Sequence, residues 1–419
     1  MISDKEYSLR EYCKTATNLD GDTFVGIKMD DGCVAVSFPM GYHLENEDKS
    51  LRKEILRLIF VLSKYVDGKD SIFLQETAHH KENVRFPIQA YIALVQSYMR
   101  EGYYTEKEIQ YKNGTSGKIH WGKTIKQHTP LIQCASPIYL EFVIKNSSLK
   151  DNGLITRIHE YCVYESFSKL GWLYTDFMPV KPSLPFDESM FSSVILAKLS
   201  QTHNEKNRSL FSNMLALITY LGNMDEAADF SYGTNRFEYV WEKLVDFAFG
   251  IRDKNRFFPR TKWYLHANGR KKENAALEPD TIMLYDGNVF VLDAKYYRYG
   301  ITKNPYHLPD SSSINKQITY GEYIAYNTGK AEHVYNAFIM PYESTDFQTE
   351  HFLYIENIGE AISDWKSSDK DYERVQGILL DTRFLVHNAT RENLRQIEKM
   401  SAVIKGSSSI CAVGEQKKT

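Results

Sequence analysis

Apolar positions along this chain follow two rhythms, one alternating and one helical. Val25 and Ile27 alternate with polar neighbours, Asp30-Asp31-Gly32 supplies turn residues, and Val34-Ala-Val-Ser-Phe38 follows, so a hairpin is predicted over 24–42. Leu51, Ile55, Leu58, Ile59 and Leu62 then recur on one stripe, which predicts a helix from about Leu51 to Val66. A second helix is predicted near Ile88–Glu101, after Pro87. Residues 153–222 read as three helices, Leu154–Leu170, Ser189–Leu199 and Leu210–Leu221, with the polar Asn204–Arg208 as a loop. Phe237, Val240, Trp241, Leu244 and Val245 give a helix Arg236–Phe249 its buried side. Basic strand-like runs and two short apolar strands flanking residue 286 come next. A helix from about Ser313 to Tyr326, strands at His333–Met340, His351–Ile355 and Gly377–Leu379, and a helix near Glu392–Val403 complete the pattern.

This order predicts an α/β protein, α+β in its N-terminal part. The expected domains are an N-terminal α/β interaction domain over 1–150, a helical linker or scaffold over 151–228, a C-terminal α/β domain over 229–405 and a flexible tail over 406–419. With 419 residues the chain has ample material for two or three domains. There is no internal repeat. The start, Met-Ile-Ser-Asp-Lys-Glu, carries no signal-peptide pattern, and apolar runs such as Leu58–Leu62 are far too short to span a bilayer. Five cysteines (13, 33, 134, 162, 411) are scattered without a Cys-x-x-Cys pair, which predicts reduced thiols in a cytoplasm and no zinc site. His79-His80 shows no ligand spacing and reads as structural. The net charge of −3 excludes a generally basic DNA-coating protein, so any nucleic-acid contact needs a local basic patch.

The candidate chemistry lies near residue 280. Two strand-like runs, Thr281-Ile-Met-Leu-Tyr285 and Val289-Phe-Val-Leu-Asp293, are joined by Asp286-Gly287, a strong hairpin signal. Pairing them brings Asp280 beside Asp293. Alternation puts Asp293 and Lys295 on one face, with Ala294 turned away. Two carboxylates and a lysine then converge. Carboxylates can hold a hard cation that binds water and phosphoryl oxygens, while a lysine orients water and offsets charge, as metal-assisted phosphodiester hydrolysis requires. A surface hairpin ending in solvated charges would show the same bare Asp-x-Lys spacing.

Pro279-Asp280…Asp293-Ala294-Lys295 resembles the PD-(D/E)xK nuclease signature. The wording Glu278-Pro-Asp…Val-Leu-Asp-Ala-Lys-Tyr-Tyr297 resembles McrC-like nuclease subunits of GTP-dependent restriction systems, and more closely the LlaJI family of restriction endonucleases. Phe24-Val-Gly-Ile-Lys28 with Phe38-Pro-Met-Gly-Tyr42, Gly117-Lys-Ile-His-Trp121 and Phe237-Glu-Tyr-Val-Trp-Glu242 also fit that family. The resemblance implies a PD-(D/E)xK core with a mixed sheet flanked by helices, and Mg²⁺-dependent cleavage of double-stranded DNA. Asp280, Asp293 and the Ala294 carbonyl would be metal ligands, and Lys295 would act on the attacking water. It further implies that Glu242, with Glu238 second, reaches toward the metal, and that Gln317, near Tyr320, contacts phosphate or the lysine. A separate AAA+ GTPase subunit, McrB-like, would bind the GTP, and the role would be anti-phage restriction. A non-catalytic regulator of such a motor and a stand-alone restriction or repair nuclease stay open as alternatives.

Residues 252–272 hold Arg252, Lys254, Arg256, Arg260, Lys262, Arg270, Lys271 and Lys272 against Asp253, with Phe257, Phe258, Trp263 and Tyr264 interleaved. This run ends just before Glu278 and is the candidate DNA-backbone contact. Gly117-Lys-Ile-His-Trp-Gly122-Lys123-Thr124 matches a phosphate-loop expression, but the preceding residues are polar and turn-like, Ile119, His120 and Trp121 occupy the loop, and Pro130 cuts short the following helix. The better reading is a basic hairpin, Lys112 to Lys126, with Lys118, His120, Trp121 and Lys123 as a candidate contact with the GTPase subunit.

Overall fold

The computed structural model describes residues 8–30, 33–66, 86–133, 136–150, 153–223, 230–266, 269–329, 333–344 and 354–406. His79, His80, residues 351–353 of a predicted strand and the predicted tail beyond Gly406 lie outside those residues. Contacts divide the chain into two compact units, one of 1–81 with 228–419 and one of 82–227. The division after residue 227 falls beside the expected boundary at 228, whereas residues 1–81 join 228–419 in one unit through strand pairing. β1 (Val25–Asp30) runs antiparallel to β2 (Cys33–Phe38), and its other edge is taken by β3 (Phe230–Thr234). Gly26 and Gly233 are paired across β1 and β3, and a Cβ on either would fall 2.2 Å from a main-chain oxygen of the opposing strand. Only glycine permits that approach.

Helix α1 (Asp48–Val66) buries Leu51, Ile55, Leu58, Ile59 and Leu62, the predicted stripe. In the C-terminal part of the same unit, α2 (Phe237–Phe249) buries Phe237, Val240, Trp241, Leu244 and Val245. An exposed antiparallel ribbon of β4 (Lys262–Tyr264) and β5 (Lys271–Glu273) follows. β6 (Thr281–Tyr285) and β7 (Asn288–Ala294) form the predicted hairpin.

Helix α3 (Ser311–Thr328) starts two residues before its predicted position, because the Asp310 carboxylate accepts from the main-chain N–H of Ser313 at 2.9 Å. The helix crosses over to β8 (Val334–Tyr342), parallel to β7. β9 (Ile355–Ala361) and β10 (Val375–Asp381) complete a mixed five-stranded sheet in the order β6-β7-β8-β10-β9. Of the strand predicted at 351–355, Ile355 is the first residue of β9. Ile282, Val289, Val291 and Val334 on one face of the sheet pack with Tyr320, Ile324 and Ala325 of α3 and with Phe257. Helices α4 (Thr382–Asn388) and α5 (Leu394–Ile404) close the unit.

Between α1 and α4 lies a buried ionic cluster. The Glu54 carboxylate accepts from the Tyr42 hydroxyl at 2.5 Å, from His387 Nε2 at 2.6 Å and from Arg383 Nη2 at 2.7 Å. Burial alone would raise the Glu54 pKa, but the bonds from His387, Tyr42 and Arg383 outweigh it and bring it to about 2.

The other unit combines helices Ile88–Glu101, Leu154–Leu170, Glu188–Gln201 and Glu205–Gly222 with a three-stranded antiparallel sheet. Asn204–Arg208 is not a loop. Asn204 Oδ1 accepts from the N–H groups of Lys206 and Asn207, so Asn204 caps a helix that begins at Glu205. Nor is Lys112–Lys126 a hairpin: Lys118–Ile119 pairs with Phe142–Lys150, as does Glu106–Gly114, and Trp121–Gln127 is a short helix. Among the described residues no helix is long and apolar enough to cross a membrane.

Candidate active site

The β6–β7 turn uses Asp286 and Gly287 at φ +49° and +73°, the left-handed pair that a two-residue hairpin demands. That turn fixes the register, with Thr281 paired to Leu292, so Asp280 falls opposite Asp293. The N–H of Ala294 donates to Asp280 Oδ2 at 3.1 Å. Asp293 and Lys295 share a face, and Lys295 Nζ lies 2.8 Å from Asp293 Oδ2. Asp293 is buried, while the Lys295 side chain is 22% exposed. The lysine is thus the more accessible end of the pair.

The electrostatics are crowded. Burial pushes the Asp280 pKa up to about 7, with Asp293 and then Glu242 adding to the rise, against the Ala294 N–H and Lys295. Glu242 is also raised, first by burial and then by Asp293. Helix α2 therefore brings Glu242 into the field of the hairpin acids, whereas Glu238 is engaged by Arg236 at 3.3 Å. For Lys295, burial favours the neutral form, but the Asp293 carboxylate outweighs it and the pKa rises. Three acids thus crowd together here, countered by Lys295 and, at Glu242, also by Lys243.

Supporting contacts hold this cluster from beneath. Trp241 Nε1 donates to the Ile339 carbonyl at 3.2 Å, which ties α2 to β8. Gln317 is buried and donates to the Val291 carbonyl at 2.7 Å, so it braces β7 two residues before Asp293. The Tyr320 hydroxyl reaches the Glu278 carbonyl at 3.4 Å.

Sequence reasoning missed two supports. Lys254, grouped with the basic run, is half-buried; it bonds the Asp246 carboxylate at 3.0 Å and the Asp280 carbonyl. That contact makes Lys254 a brace for Asp280 rather than an open backbone cation. Tyr296, next to Lys295, is buried; its hydroxyl accepts from the Met40 N–H at 2.6 Å, and its carbonyl accepts from Asn18 at 3.2 Å. The one hint available for Lys254 is that it follows the end of α2 by five residues, with the acid Asp246 in the last turn of that helix; no periodicity marks Tyr296.

The remaining basic residues of the run, Arg252, Arg256, Arg260, Lys262, Arg270, Lys271 and Lys272, are exposed. Arg256 lies 4.8 Å over the Phe257 ring and Lys262 pairs with Glu273 at 3.2 Å. In the other unit, Lys118 and Trp121 are exposed, His120 Nδ1 accepts from the Lys123 N–H, and Lys123 Nζ sits 3.4 Å from the Tyr111 ring centroid. Thr124 is fully buried and its hydroxyl accepts from the Val143 N–H at 2.9 Å, so the Gly-Lys-Thr residues are used in local packing.

Among the described residues no three His, Cys, Asp or Glu side chains already form a metal cage. The donors at the hairpin end are carboxylate oxygens alone. That set suits Mg²⁺, which is held by one or two carboxylates and keeps several waters. A cation would also relieve the like-charge crowding that lifts Asp280 and Glu242.

Comparison with known proteins places these features in a wider setting. A family model described as LlaJI restriction endonuclease matches residues 24–363. The component YdjA of the type II restriction enzyme BsuMI from Bacillus subtilis (strain 168) is 27% identical over 263 residues, 57% of this chain and 55% of that protein. The chain thus spans about half the length of that curated relative. A solved half-complex from a tetradecameric assembly of Thermococcus gammatolerans McrB AAA+ hexamers with bound McrC aligns over 90% of this chain and 83% of that one, at 15% identity and a TM-score of 0.34. A TM-score that low supports no inference about this chain.

Proposed function

Because the chain belongs to the LlaJI restriction endonuclease family, we propose that it hydrolyses DNA phosphodiester bonds with Mg²⁺, using a PD-(D/E)xK core at the end of β6 and β7. The observation that carries this reading is Lys295 at 2.8 Å from Asp293 with Asp280 bonded to the N–H of Ala294 between them. Asp280, Asp293 and the Ala294 carbonyl would hold the metal, with Glu242 reaching it from α2. When bound, Mg²⁺ supplies an activated water and neutralises phosphoryl charge.

The protein's own residues do the rest. Asp293 keeps the Lys295 ammonium charged and aimed outward from the sheet end. Lys295 positions the attacking water and offsets the charge that builds on the phosphorane oxygens. Lys254 holds the Asp280 main chain in place, so the carboxylate keeps its orientation. The exposed Arg252, Arg256, Arg260 and Lys262 and the ribbon beyond them would draw the DNA backbone in.

The McrC-like wording around Asp293 favours an AAA+ GTPase partner that binds GTP and moves DNA, with Lys118, His120, Trp121 and Lys123 as its candidate contact. The Bacillus relative is named as one component of a restriction enzyme, which fits a chain that works with others. The setting would be cytoplasmic restriction of invading phage DNA.

The test is plasmid cleavage by the purified chain with Mg²⁺, alone and with the GTPase subunit plus GTP, beside Lys295→Ala. Cleavage that needs the partner and disappears in the variant is the expected result. Cleavage by the chain alone would make it a stand-alone nuclease. No cleavage, with partner GTP hydrolysis still stimulated by the variant, would make it a regulator and end the nuclease reading.

A further inference from the structure

We infer that the ribbon of β4 and β5 binds unpaired DNA bases by stacking them on Trp263 and Tyr264. This rests on the DNA-cleaving reading and adds the form of DNA that the site engages. Trp263 pairs with Lys272 and Tyr264 with Lys271 in the antiparallel register. Paired residues share a face and neighbours along a strand face opposite ways, so one face carries Trp263 with Lys272 and the other carries Tyr264 with Lys271, beside the Lys262–Glu273 pair. Both rings are 61% exposed. Lys271 Nζ stands 5.3 Å from the Tyr264 ring centroid, so cation and ring are presented together. Glu273, the acid of the two strands, is paired with Lys262 at 3.2 Å, and Lys271 and Lys272 stand beside the rings.

The rings do not serve a core. All six strand residues are exposed, and a two-stranded ribbon has no second layer to bury them against. Rings alternating with lysines match a single strand, whose bases offer π-faces and whose phosphates pair with cations. An intact duplex hides its base faces and would use the lysines alone. Single-stranded DNA carries a phosphate and a π-face in every nucleotide, which matches both chemistries at once.

The ribbon is also tied to the candidate active site. The Asn274 N–H donates to the Thr261 carbonyl at 3.0 Å and the Leu277 N–H to the Pro259 carbonyl at 2.9 Å. The stitching thus ends three residues before Asp280. A strand held on the rings is held near the hairpin acids along a short, bonded path.

The test is fluorescence anisotropy with the full chain in EDTA, using labelled single-stranded, duplex and forked oligonucleotides of equal length. Wild type should bind the single-stranded and forked forms more tightly than the duplex. Trp263→Ala/Tyr264→Ala should weaken single-strand binding by about tenfold or more, with duplex affinity nearly unchanged. Lys271→Ala/Lys272→Ala should weaken all three forms and flatten the salt dependence. Equal losses on single strand and duplex in the ring variant, no loss on either, or no single-strand binding by wild type would each overturn the inference. Because nothing is cleaved in EDTA, this result is independent of the plasmid assay. The nuclease reading can fail while stacking stands, and stacking can fail while cleavage stands.

Discussion

Two buried carboxylate clusters in the same unit titrate in opposite directions. Glu54 is surrounded by donors, from Tyr42, His387 and Arg383, and its pKa falls to about 2. Asp280 is surrounded mainly by other acids, and its pKa climbs to about 7. Burial opposes ionisation at both, so burial does not separate them. The partners do. The first cluster has its charge answered within the protein and reads as a clamp between α1 and α4. The second has acids for its main neighbours, and the proposed cation would answer their charge from outside. A buried acid alone says little about function; a buried acid crowded by other acids says more.

The largest way to sharpen this contrast is chemical. Lys295→Ala and Asp293→Ala should each reduce DNA cleavage by at least about 100-fold, while far-ultraviolet circular dichroism shows a folded protein. Glu54→Gln should leave the chemistry of the hairpin end intact in whatever protein stays folded, but should cost about 1–3 kcal/mol of stability by removing the charge that His387 and Arg383 bond, with Glu45 still pairing Arg383. Chemical denaturation at pH 7.5 would measure it, and a cost near zero would dissolve the clamp reading.

Asp280→Asn should act with the opposite sign. It removes like-charge crowding, so the metal-free protein should gain about 1–2 kcal/mol at pH 8, together with loss of cleavage. A destabilised Asp280→Asn protein in EDTA would mean that the carboxylate is structural.

The smallest effect is in pH. A raised acid holds its proton longer when folded, so the folded state binds more protons between the ordinary carboxylate value and about 7. Metal-free stability should therefore fall as pH rises through that window. Glu54 behaves inversely, since its contribution is present above the ordinary carboxylate value and is lost as pH falls toward 2. Mg²⁺ competes with the Asp280 proton, so the rise in Tm on adding Mg²⁺ should grow from pH 6 to pH 8. A Mg²⁺ shift that is flat across that range would remove Asp280 from the ligand set.

Local signals in the sequence were read well because local chemistry set them. Asp286-Gly287 dictated the hairpin and hence the meeting of Asp280, Asp293 and Lys295. The stripes of α1 and α2 and the helix Leu154–Leu170 followed from apolar spacing alone. What escaped were pairings between distant segments. No periodicity in Val25–Asp30 says that its open edge will be filled by Phe230–Thr234, and no charge pattern says that Glu54 will meet Arg383. Lys254 was misplaced for a related reason: within a run of cations, sequence cannot tell the one that turns inward to Asp246. Asn204–Arg208 reads as a loop because a polar side chain that caps a helix and one that is merely solvated look alike in sequence.

The pairing of β1 with β3 also sets an order of events during synthesis. Residues 82–227 form a unit from one continuous stretch, so that unit has everything it needs once the ribosome has passed it. β1, β2 and α1 emerge before that unit yet finish after it. β1 waits some two hundred residues for its edge partner, and Glu54 waits for Arg383, 329 residues later. Closing such loops makes the unit a slow, high-contact-order folder. The same delay means that the Tyr296 anchor on Met40 forms only after some two hundred and fifty further residues have been made. A truncated product would therefore carry the hairpin without the frame that holds it.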